Sequence, residues 1–113
     1  MTLDRMALDM GWQPAGSCST TSGSVRVDSS ADDAESSVAN SGYTRTSSDL
    51  EIPRDGSSQQ VVGMRFQNVP IPAGSTITDA RIVFTIDSTP SSYNAPVDLV
   101  VVGESMSGSR VQF

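Results

Sequence analysis

Apolar and polar residues alternate in three separate runs along the second half of this chain, and these runs predict most of its structure. Leu50 and Ile52 form the first run, and Val62, Met64 and Phe66 the second. Ala80, Ile82, Phe84 and Ile86 form the third. A two-residue period places each set on one face of a pleated strand. Strands are therefore expected at 49–52, 60–67 and 78–87, with shorter ones at Val25–Val27 and Tyr43–Thr46. Pro53-Arg54-Asp55-Gly56 reads as a turn, because Pro fixes φ and Asp-Gly accepts a tight reversal. Pro70 and Pro72 lack ladder donors, so 68–75 reads as an extended connection rather than a strand. Val97, Leu99 and Val101 alternate with Val100 and Val102, apolar on both faces, which predicts a central strand covered on both sides. Short strands at close spacing argue for an all-β fold, an antiparallel sandwich of jelly-roll-like type from about residue 24 onward. Val111 and Phe113 read as the start of a further strand, so the sandwich is expected to be partial.

The first residues follow a different rhythm. Leu3, Met6, Ala7 and Met10 fall at i, i+3, i+4 and i+7, with Thr2 as N-cap and Gly11 as stop. That spacing predicts a short helix over 2–10, belonging to a core of its own and carrying Trp12 outside the sandwich. Residues 13–23, rich in Ser, Thr and Gly, read as a linker. Asp28–Ser41 reads as a loop.

Composition narrows the function. The 113 residues carry a net charge of −6, and all seven basic residues are scattered arginines, which disfavours a nucleic-acid partner. No apolar run approaches the roughly 20 residues of a membrane span, and residues 1–11 have no signal-peptide core. Histidine is absent, so a His-based zinc site or acid–base pair cannot be built. The serines lack a nucleophile elbow, and no phosphate-cradling glycine pattern occurs. The sole cysteine, Cys18, reads as a free surface thiol, with a bridge to another chain as the alternative. A non-enzymatic role follows.

Two constellations stand out as binding candidates. Asp32, Asp33 and Glu35 could supply oxygens to calcium, although their spacing fits no EF-hand. A solvated acidic loop, or an Asx-type turn at Asp32 or Asp33, explains the trio equally. Tyr43 and Tyr93 are the aromatics in loop-like positions, free to stack on a sugar ring or on their own loops. Asp49 and Glu51 alternate with Leu50 and Ile52. They are therefore expected off the core face, paired with Arg65 or Arg81.

Four segments carry a family resemblance: DDAES at 32–36, SSDLEI at 47–52, VVGMRFQNVPIPAGSTITDARIVFTID at 61–87 and LVVVGES at 99–105. Residues 25–113 resemble the first half of the DNRLRE-type, carbohydrate-binding-module-like modules of secreted bacterial proteins. The resemblance implies a β-sandwich accessory domain of an extracellular multi-domain protein, non-catalytic and glycan- or surface-binding. That family continues for several strands beyond the position of Phe113, so self-association through open strand edges is also expected. Separately, LDRMALDMGW at 3–12 resembles the terminal helix and Gly-Trp of secreted zinc metalloendopeptidase domains, implying a peptidase upstream. The alternatives to glycan binding are thus a spacer or adhesion domain without a ligand pocket, and an inactive peptidase fragment.

Overall fold

A computed structural model describes residues 1–29, 31–39, 42–46, 49–88, 96 and 98–103. They form eight strands and no helix: β1 (Thr2–Gln13), β2 (Thr21–Arg26), β3 (Asp33–Ser37), β4 (Tyr43–Thr44), β5 (Leu50–Glu51), β6 (Arg54–Asp55), β7 (Ser58–Met64) and β8 (Thr76–Ser88). All pairings are antiparallel. In the first sheet β1 is central, with β8 along one side from Thr2 to Gln13. On its other side β5 meets Thr2 and Leu3, and β2 meets Ala7–Trp12. The second sheet runs β4-β3-β7-β6. The two sheets lie in a sandwich-like arrangement, with β5 touching both β3 and β7.

The alternation in the second half of the chain works as expected in its first two runs and at Ile82 and Phe84, whereas Ala80 and Ile86 of the third run are exposed, Ile86 at 50%. Leu50 and Ile52 join the buried cluster, and Val62, Met64, Phe66 and Phe84 pack against it, while Val61 faces out. Residues 68–75 connect β7 to β8 without entering a ladder. They close in a turn from Ser75 N–H to the Pro72 carbonyl, with Gly74 at φ 80° supplying the left-handed step. Three shorter expectations shift. The reversal after Pro53 moves two residues on, to Gly56-Ser57, because Arg54 and Asp55 pair with Gln59 and Ser58 as β6. The expected loop 28–41 contains β3. The expected strand at 97–102 is not formed over 98–103, where Val100 stands 88% exposed. Val97, Val111 and Phe113 lie outside the described residues.

The larger correction is at the start. The segment expected as helix is the longest-paired strand of the first sheet, and its core is the sandwich core: Leu3 and Met6 bury against Leu50 and Ile52. The helical spacing has a β origin. Opposite Leu3 and Arg5, β8 presents consecutive residues, Ile86 and Thr85, so Asp4 is an extra residue bulged out of register. A bulge turns a two-residue step into a three-residue one. Leu3 and Met6 therefore share a face, after which Met10 and Trp12 follow at even spacing. The peptidase-like helix is absent for the same reason. The expected linker is likewise a hairpin connection of residues 14–20 leading into β2.

Trp12 is inside the fold, 5% exposed. Its ring lies over Gly23 of β2, where an added Cβ would stand 3.2 Å from Cη2 and 3.3 Å from Cζ3, with Pro70 at 3.6 Å. Gly11 is tighter still, because a Cβ there would sit 2.9 Å from the Thr78 hydroxyl. Thr78 is itself the extra residue between Asp79, opposite Gly11, and Ile77, opposite Trp12. Gly11→Val should therefore lower stability by about 2 kcal/mol through overpacking, read as a shift in the urea midpoint. A midpoint unchanged from wild type would mean that β8 does not press on Gly11.

Candidate functional site

Asp32, just ahead of β3, is 2% exposed and fully committed within the protein. Its Oδ1 accepts hydrogen bonds from Arg65 Nε at 2.7 Å and Gln67 Nε2 at 2.5 Å, and an ion pair from Arg65 Nη2 at 2.5 Å. The backbone reinforces the contact: Arg65 N–H donates to the Asp32 carbonyl at 2.6 Å, and Arg65 Nη2 donates to the Ala31 carbonyl at 3.2 Å. Burial pushes the Asp32 carboxyl up, but hydrogen bonds from Arg65 and Gln67 and the arginine charge outweigh it and hold the group below its ordinary range. This residue staples the entry of β3 to the exit of β7.

The structure thus does not gather the Asp32, Asp33 and Glu35 trio around a cation. Asp33 lies half-buried on β3 opposite Met64. Burial raises its carboxyl first, and the neighbouring charges of Asp32 and Glu35 raise it further. Glu35 turns to a different partner, accepting the backbone N–H of Glu51 at 3.3 Å. Among the described residues no group of three metal-ligating side chains is placed to hold an ion.

Glu35 and Glu51 form a pair that sequence reasoning missed. Glu51 does point off the core face, but towards another carboxyl. Its hydrogen bond with the Glu35 side chain, then burial, then the charges of Glu35, Asp49 and Asp55 raise its pKa to about 7. Of the arginines expected as partners, Arg65 makes an ion pair with Asp32 and Arg81 one with Asp79 at 3.1 Å. A glycosidase needs two carboxyls roughly 5–9.5 Å apart, flanking a glycosidic bond. Two carboxyls bonded to each other leave no room for one.

Tyr43 lies on the edge strand β4, 61% exposed. The strand is held beside β3 by its ladder and by the Ser36 hydroxyl, which donates to the Gly42 carbonyl at 2.8 Å. The Arg45 guanidinium stands 5.9 Å from the ring centroid, within cation–π range. Tyr93 lies outside the described residues.

A broad open cleft of about 840 Å³ runs between β7, β8 and residues 98–103. Val62, Met64, Phe66, Ile82 and Phe84 line it, facing Leu99–Val102. Its walls are mostly apolar, with Gln59 and Gln60 as polar and Arg65 and Asp98 as charged groups. No known protein family, curated protein or solved structure matches the chain.

Proposed function

We propose that the chain is a non-catalytic accessory module of an extracellular multi-domain bacterial protein, binding a glycan or another cell-surface ligand at the Tyr43 edge of the second sheet. The observation that carries this reading is the exposed Tyr43 ring on β4. Trp12 is buried, and Phe66 and Phe84 are half-buried against the core. Among the described residues Tyr43 is thus the aromatic side chain that stands free of the interior. An amphipathic ring on a supported edge strand offers one apolar face and one hydroxyl, the combination a pyranose ring and its hydroxyls complement. The all-β class is what the DNRLRE-type resemblance of residues 25–113 implies, although β1, which centres the first sheet, lies outside that span.

Affinity electrophoresis through gels of xylan, mannan and β-glucan tests the reading. The wild-type chain should be retarded by at least one of them, and Tyr43→Ala should restore free migration. Uniform migration of the wild type through all three would remove the proposal. The structural spacer reading is favoured by Arg45, which already occupies one face of the Tyr43 ring. It expects melting temperatures indifferent to every sugar.

A further inference from the structure

We propose that Glu35 and Glu51 form a proton-operated clasp between the two sheets, closed while they share one proton and loosened when it leaves. Glu35 belongs to β3 of the second sheet and Glu51 to β5 of the first, so the contact crosses the seam of the sandwich. β5 is only two residues long, yet it delivers Leu50 to the core and is followed at once by Ile52. Whatever holds β5 against β3 therefore holds one side of the core closed.

The surroundings of the pair give the proton its leverage. From β5's own approach Asp49 faces it, and from β6 Asp55 does. Asp33, two residues before Glu35 on β3, adds a third negative group on the same side of that strand. The ladder neighbours are uncharged: Thr44 on β4 and Val62 on β7 flank Glu35, and Thr2 on β1 flanks Glu51. Beyond these, Arg45 follows Thr44 and leans over Tyr43, and the Met1 amino group stands one residue from Thr2.

With one carboxyl protonated, the pair makes an O–H···O⁻ bond, and the Glu35 oxygen also holds the Glu51 N–H. With both ionised, two negative charges face each other beside Asp49 and Asp55. The sign follows from linkage. The Glu51 carboxyl titrates at about 7 in the folded chain against 4.5 when unperturbed, so the folded state binds the extra proton between these values. The stabilisation is complete below the lower value and disappears as pH rises through the upper one.

Thermal unfolding of the wild type, Glu51→Gln and Glu35→Gln at pH 5 and pH 8 tests the clasp. Glutamine at 51 imitates the protonated carboxyl at both pH values. The wild-type melting temperature should therefore drop on going to pH 8 by about 4 °C more than that of E51Q. A second readout, the ¹³C titration of the Glu51 carboxyl in the folded wild type, covers the case in which a variant does not fold. Its midpoint should lie near 7 and fall towards the ordinary glutamate range in E35Q. Equal drops in wild type and E51Q, or a wild-type midpoint below 5, would overturn the clasp.

Discussion

Truncating Trp12 to alanine should cost about 3–4 kcal/mol of stability, the largest effect expected of any single side chain here. The indole is 5% exposed and is the bulkiest group on the buried face of β1. It closes the end of the first sheet where β1, β2 and β8 all meet, at the ladder positions opposite Thr21 and Ile77. Gly23 beneath it has no side chain to move into the vacated space, and Pro70 has few conformations with which to follow. The void would thus persist instead of collapsing, so the loss falls within the range usual for truncating a buried tryptophan. Urea unfolding followed by far-ultraviolet circular dichroism measures it. A loss below about 1 kcal/mol would place the ring at the surface. Trp12→Phe should retain most of the stability, because it keeps a ring over Gly23.

Asp32→Ala should be the second most damaging change, at about 2–4 kcal/mol. The cost does not come from lost attraction alone. Removing the carboxylate takes from the Arg65 guanidinium and the Gln67 amide the oxygen on which both converge. Arg65 retains some access to water, with 27% of its side chain exposed, which keeps the figure below that of a wholly dry pair. A double-mutant cycle with Arg65→Met separates the two contributions, since the second substitution removes the guanidinium charge that had faced the carboxylate. The double variant should be more stable than Asp32→Ala alone. If its loss equalled the sum of the losses of the two single variants, the pair would not be coupled.

The same carboxylate has a pH signature opposite to that of the Glu35–Glu51 clasp. Its folded pKa is lowered, so its contribution is present above the ordinary aspartate range and fades as pH falls through the depressed value. Glu51 acts at the other end and weakens the fold as pH rises towards 7. Together they place the stability maximum in mildly acid solution, at about pH 5.

What could be read from the sequence depended on whether the period stayed intact. Strands β7 and β8 keep a two-residue rhythm through their core positions, and Val62, Met64, Phe66 and Phe84 fall on the expected face. Strand β1 breaks the rhythm once, at Asp4, and that break creates the i, i+3 spacing of a helix. Nothing in Leu3–Met10 distinguishes a bulged strand from a helical turn. Only Trp12, β-favouring and directly before Gln13-Pro14, leaned the other way. The segment Leu99–Val102 misled in the opposite sense, since β-branched residues on both faces describe a strand without supplying a partner for it.

The candidate sites divide similarly. Exposure of Tyr43 follows from its place between Ser, Gly and Arg in a polar stretch. The Asp32–Arg65 pair joins residues far apart in the chain, brought together only by the antiparallel register of β3 and β7. The pairing of Glu35 with Glu51 was hidden more deeply. Pairing rules look for opposite charges, and two like carboxyls meet only when a proton comes between them.

The position of β1 also shapes how the molecule assembles. Its main partner, β8, begins at Thr76, so the ladder that organises the first sheet closes only after the intervening chain has been looped out. That loop carries the whole second sheet. Until β8 arrives, the buried side of β1, with Met10 and Trp12, has only β2 beside it over Ala7–Trp12 and little to shield it from water. Sequence-distant pairing of this kind slows folding relative to a chain of local hairpins. During that interval the face is open to strands from other molecules.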